Sequence, residues 1–199
     1  MKKILVGGCV LVSAILFTGC ASKVEYGDAQ AVETVNTDFG STDLHQIAAK
    51  MVDSLIASPA ITQRSKTGGA PIVVIDRIKN KTDEHIDTES VTDTISTKML
   101  QSGRFQIVDQ SNLERVKEQL SFQNDSGYVD PAKAVKVGTM VGAQYMLYGN
   151  MSSIVKNNKS TKDVYYKFTL QMMDLKSGTL VWKDEKEIRK QMSRSMFGM

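Results

Sequence analysis

A chain of 199 residues with 25 lysines and arginines against 22 aspartates and glutamates carries a net charge of only +3, too little for the basic field that nucleic-acid binding needs. Its two cysteines are Cys9 and Cys20, so the remainder of the chain has no disulfide framework and must draw its stability from an apolar core. The length suits one compact domain.

The chain opens with Lys2 and Lys3, an apolar stretch from Ile4 to Phe17, and small residues Thr18 and Gly19 ahead of Cys20. This order reads as a bacterial lipoprotein signal, removed as residues 1–19, with Cys20 as the lipidated first residue of the mature protein. The apolar stretch is shorter than the about 20 residues that a membrane-spanning helix wants. An ordinary cleaved signal and a permanent N-terminal anchor are the competing readings. Lys2 and Lys3 leave with the signal, so the mature chain is nearly neutral.

Residues 20–42 mix Ser, Asp, Glu, Thr, Asn and Gly with isolated valines, without helical or strand periodicity, and are expected to form a flexible tether. Fully extended, such a segment reaches about 75 Å. The domain is expected over residues 43–190. Leu44, Ile47, Ala48, Met51, Val52, Leu55 and Ile56 make one helical stripe behind Asp43 and Gln46, a capping box, and Pro59 closes that helix. Residues 62–71 read as a loop. Ile72-Val73-Val74-Ile75, β-branched without polar alternation, predicts a central strand covered on both faces.

A charged loop from Arg77 to His85 leads to a helix over 87–101, with Val91, Ile95 and Met99 inward and Gly103 as its stop. A short strand follows over 105–108. Ser111 and Glu114 form a second capping box, opening a helix with Leu113, Val116 and Leu120 inward, and Asp130-Pro131 starts another helix that Gly142 ends. Residues 145–148, 164–173 and 180–182 read as strands, joined by turns over 156–163 and 176–179, with residues 191–199 as a tail. The fold class is α/β: a single mixed sheet with a C-terminal antiparallel meander and flanking helices.

Catalytic patterns are scarce. His45 lies off the apolar stripe of the first helix, and His85 sits among Asp83, Glu84, Asp87 and Glu89. That acidic group surrounds a helix start, where carboxylates favour the positive dipole end, so Asp87 reads as a cap and no metal is expected. No Gly-x-Ser-x-Gly or Ser-x-x-Lys motif is present, and Gly68-Gly69 precedes a strand instead of following one, the reverse of a nucleotide loop. Gly138 and Gly142 on one helix read as a close approach to the sheet. The chain is expected to be no enzyme and to need no cofactor.

Four pieces in order carry a family resemblance: Ile72-Val73-Val74-Ile75-Asp76-Arg77-Ile78-Lys79-Asn80-Lys81-Thr82, Ser102-Gly103-Arg104-Phe105-Gln106-Ile107-Val108, Val141-Gly142-Ala143-Gln144-Tyr145-Met146-Leu147-Tyr148-Gly149 and Asp174-Leu175-Lys176-Ser177-Gly178-Thr179-Leu180-Val181-Trp182. With them the chain resembles the penicillin-binding-protein activator lipoproteins of the LpoB family, whose soluble domain is related to the N-terminal domain of the translocation protein TolB. The resemblance implies a lipoprotein of the cell outer membrane, facing the periplasm. It would bind a bifunctional class A penicillin-binding protein, a peptidoglycan synthase, and stimulate it as a monomer without making bonds itself. Ala21 behind Cys20 fits outward sorting by the same similarity. Well-studied members carry a long proline-rich tether, whereas residues 20–42 contain no proline.

Tyr148 matches the family's Leu-Tyr strand, and Lys133 and Lys136 lie on the adjoining helix start, so the three are the expected partner-binding residues. The alternative is that Tyr148 is a core ring and the lysines a solvated face. Two other classes stay open: a secretion accessory factor related to curli-secretion channels, and an enzyme of cell-wall metabolism.

Overall fold

Ile72–Ile75 forms the strand β1, and its uninterrupted apolar run is explained by cover on both sides: Val73 and Ile75 enter one core cluster and Val74 another. The computed structural model describes residues 24–119 and 131–193. Along the chain, β1 is preceded by α1 (Ser41–Ala57) and α2 (Pro59–Gly68), and followed by β2 (Lys79–Lys81), α3 (Thr88–Gln101), β3 (Gln106–Ile107) and α4 (Gln110–Gln119). After these come α5 (Pro131–Val141), β4 (Tyr145–Asn157), β5 (Thr161–Asp174) and β6 (Leu180–Ser193).

The sheet runs β3-β1-β4-β5-β6, with β2 added to β4 beyond the end of β1. β1 is parallel to β3 and β4, with Val73 level with Tyr145, and β4, β5 and β6 form the expected antiparallel meander. One face carries the larger core, where Ile47, Met51 and Leu55 of α1 and Val91, Ile95 and Met99 of α3 meet Leu147, Tyr166, Phe168 and Met172 of the sheet. The other carries a smaller cluster, Leu113 and Val116 of α4 and Ala134 and Val137 of α5 against Val74, Met146 and Met173. Gly138 makes a close approach, to the turn after β5 instead of to a strand: a Cβ there would lie 2.5 Å from Leu175 Cδ1. Gly142, at φ 71°, ends α5.

Several boundaries differ from the sequence reading. Residues 62–68, expected as loop, belong to α2, because Pro59 both ends α1 and starts a helix at its first position while the Ser58 hydroxyl accepts the Ile61 N–H. The charged loop contains β2, whose Lys-Asn-Lys has no apolar residue to signal pairing with Asn150–Ser152. The turn expected over 156–163 shrinks to a short one after Asn157, in which the Asn158 side chain accepts the N–H groups of Ser160 and Thr161. Polar residues alternating toward water conceal these strand extensions, and β6 likewise continues to Ser193. The start of α1 is Gly40, with Asp43 at its third position accepting the Gly40 N–H at 3.0 Å. Asp109, not Ser111, caps α4 through the Asn112 N–H. Leu120 and Asp130 lie outside the described residues.

The end of the segment assigned to the tether is held by the domain. Thr37 is buried, its carbonyl accepts the Tyr166 hydroxyl at 3.1 Å, and the Phe39 ring packs edge-on against Tyr166. Lys190 donates to the Asp38 carbonyl at 2.6 Å and to Asp43 at 2.9 Å, and Lys162 pairs with Asp38. Glu33 accepts the Ser41 N–H at 2.9 Å, supplying the helix-capping oxygen that Gly40 lacks.

Candidate partner-binding face

Side chains on β4 alternate, so Met146 and Tyr148 share the face that α4 and α5 cover, while Leu147 enters the larger core. Tyr148 is half-buried at the border of the smaller cluster, and this burial pushes its phenol above the usual tyrosine range, keeping it a neutral donor. On α5, Ala134 and Val137 enter the same cluster. Lys133 is half-buried and Lys136 exposed, each next to one of these inward residues. The expected trio therefore belongs to one face of the fold, with the Tyr148 ring partly spent on packing. Cys20 lies outside the described residues.

Past Tyr148, no helix among the described residues joins an apolar cluster on the same face of the sheet, and the side chains of that face form rows across three strands. Asn150, Thr169 and Glu185 make one row; Ser152, Lys167 and Glu187 the next; Ile154, Tyr165 and Arg189 the third. Diagonal neighbours pair. Lys167 meets Glu185 at 2.7 Å, Tyr165 bonds Glu187, and Arg189 grips Asp163 with two bonds of 3.0 and 2.6 Å. The Arg189 fork holds the Asp163 carboxyl below the usual carboxylate range, with Lys156 adding to the effect. A shallow cavity of about 370 Å³ opens among Ile154, Lys156, Asp163, Tyr165 and Arg189. Sequence reasoning missed this region because Asp163 was assigned to a turn, Tyr165 to a strand, and Ile154 and Arg189 to neither; the period-two alternation Val164, Tyr166, Phe168, Leu170 along β5 was the available signal.

The acidic group around His85 is used structurally. Glu84 accepts the Tyr166 hydroxyl at 2.5 Å and the Phe39 N–H at 3.0 Å, and Asp87 caps α3 through the Glu89 and Ser90 N–H groups. Burial, with Glu84 second, pushes the Tyr166 phenol far above its ordinary value. His45 borders a polar groove with Asp87, Glu89 and Asp93. Among the described residues, no three His, Cys, Asp or Glu side chains gather as a metal site would require, and no helix is long and apolar enough to cross a membrane.

Comparison with known proteins places this architecture. A family model described as "Peptidoglycan-synthase activator LpoB" matches residues 43–188. A protein named "Penicillin-binding protein activator LpoB" from Dickeya dadantii is 27% identical over 141 residues, covering 69% of this chain and 68% of its own. Its namesake from Escherichia coli K12 is 23% identical over 141 residues, covering 71% and 60%. Across relatives of that name the match spans 60 to 68% of their own length.

Among solved structures, the LpoB C-terminal domain from Salmonella enterica superposes with a TM-score of 0.54 at 20% identity, covering 73% of this chain and 98% of that domain. The NMR structure of E. coli LpoB gives 0.52 at 20% identity, covering 92% and 84%. Both share the mixed sheet with flanking helices, as the sequence led us to expect. By the match over most of its domain, the chain belongs to the LpoB family of peptidoglycan-synthase activators.

Proposed function

We propose that this protein is an outer-membrane lipoprotein, anchored through Cys20 and facing the periplasm, which binds a bifunctional class A penicillin-binding protein and raises its synthetic rate. The observation that carries the proposal is the family match across residues 43–188, backed by relatives that are named penicillin-binding protein activators. The protein acts as a monomer, makes no bond, and needs no cofactor. Activation by a partner without chemistry of its own requires differential affinity: the synthase shifts toward its active form by as much as the activator prefers that form. Contact is made on the Tyr148 side, with Lys133 and Lys136 at the rim. Neutral at its hydroxyl and apolar over its ring, Tyr148 has the make-up of an interface anchor.

The test is glycan polymerisation by a class A synthase purified from the same cell, with and without this protein. A rate increase that saturates with added protein is expected, and an unchanged rate together with no binding overturns the reading. Replacing Cys20 with serine should move the protein from the outer membrane to the soluble periplasm; continued membrane sedimentation would contradict the anchor.

A further inference from the structure

We infer that the synthase docks along the face of β4, β5 and β6 that no helix of the described residues covers, seating an apolar side chain in the cavity bounded by Ile154, Tyr165 and Arg189. The inference rests on the functional reading above and specifies where the contact extends. Tyr148 and Ile154 stand on one face of β4, about 20 Å apart at strand rise, so the cavity continues the Tyr148 side along a single rigid strand.

Three observations support it. Ile154 is 60% exposed at the β4 end of a continuous row, level with Tyr165 of β5 and then Arg189 of β6. The apolar surface is thus held in place before any partner arrives, which removes much of the ordering cost of association. Beside Lys156 and Asp163, the concavity is lined by an aliphatic side chain, a tyrosine ring and an arginine, and tyrosine and arginine are enriched at the energetic centre of interfaces. The Arg189 guanidinium is already gripped by Asp163, so its stem and face form a wall in place of a mobile charge.

Charge selects the occupant. At the cavity Asp163 stands between two cations, Arg189 and Lys156, and Lys159 in the adjoining turn is exposed, so this end of the face is cationic. Farther along, Glu185 and Glu187 interrupt the lysines. A lipid surface or a nucleic acid would need a uniform positive field, which these carboxylates break. A second copy related by a two-fold axis would bring the same cationic rims together. A protein patch with an apolar knob and an acidic rim meets both features, and we assign that patch to the synthase.

The experiment uses the full chain captured on a sensor, with the purified class A synthase of the same cell in solution. Ile154→Glu is expected to weaken binding by about tenfold or more while leaving the thermal midpoint in place. Lys156→Glu is expected to weaken binding and flatten its salt dependence. Thr97→Glu, on the exposed side of α3, is expected to leave affinity within about twofold. Ile154→Glu and Lys156→Glu both binding as the parent does would overturn this docking face while leaving the functional reading intact. A parent that binds no synthase overturns both. If sedimentation velocity finds a parent dimer that Ile154→Glu dissociates with synthase affinity unaltered, the face joins copies of this chain and the inference falls.

Discussion

On β5, Val164, Tyr166, Phe168, Leu170 and Met172 turn toward α1 and α3 and are at most 1% exposed, while Asp163, Tyr165, Lys167, Thr169 and Gln171 between them are half-exposed. One backbone ladder therefore serves a closed face that supplies stability and an open face whose chemistry is paired only within itself. The larger cluster joins α1, α3 and every long strand, whereas on the open rows Lys167 pairs with Glu185, Tyr165 with Glu187 and Arg189 with Asp163 at the surface. The difference teaches that substitutions on the open face can alter what the protein touches without altering whether it folds, because surface pairs contribute little to folding.

The sharpest way to break that comparison is Phe168→Ala on the closed face, where a fully buried ring leaves a cavity. We expect a loss of about 3–5 kcal/mol in urea-denaturation experiments, and a loss below about 1 kcal/mol would mean that the closed face does not carry the fold. The smaller cluster offers an intermediate test. Gly138→Val would press a branched side chain into Leu175, and we expect about 1–3 kcal/mol of destabilisation from overpacking. A neutral result would show that the α5 cover is loosely held.

The smallest effect belongs to the open face. Because Arg189 depresses the Asp163 carboxyl in the folded protein, its contribution is present above the unfolded value, near pH 4, and is lost as pH falls through the lower folded value. Comparing the parent with Asp163→Asn by thermal melting should give a slight difference at pH 7 that disappears in acid. A difference that grows in acid would contradict the assignment of this bond.

Much of this architecture is readable from residues because burial leaves a period. The stripe from Ile47 to Leu55, the inward steps Val91, Ile95 and Met99, and the unbroken Ile72–Ile75 run all identify their elements and faces. What escapes is structure fixed by partners distant in sequence. β2 is a Lys-Asn-Lys segment that pairs only because β4 runs beside it, and residues 156–163 look like one long turn, while 149–155 and 183–190 carry no strand signal, because so many of their residues are polar or charged. Tyr148 was legible as an element of the sheet and as a candidate anchor, but its share in the α4–α5 cluster depends on packing that no local pattern encodes.

The docked segment at residues 33–40 also decides where a pull on the N-terminal side is felt. Without it, tension would peel α1 from its first turn. With it, the load passes through the Thr37 carbonyl and the Phe39 N–H to Tyr166 and Glu84, and through Asp38 to Lys162 and Lys190. Those attachments lie on β5, β6 and the loop before α3, so force is spread across several elements in parallel. The chain is in effect belayed to the sheet, so that a tug on the residues before it is borne there without the first helix unwinding.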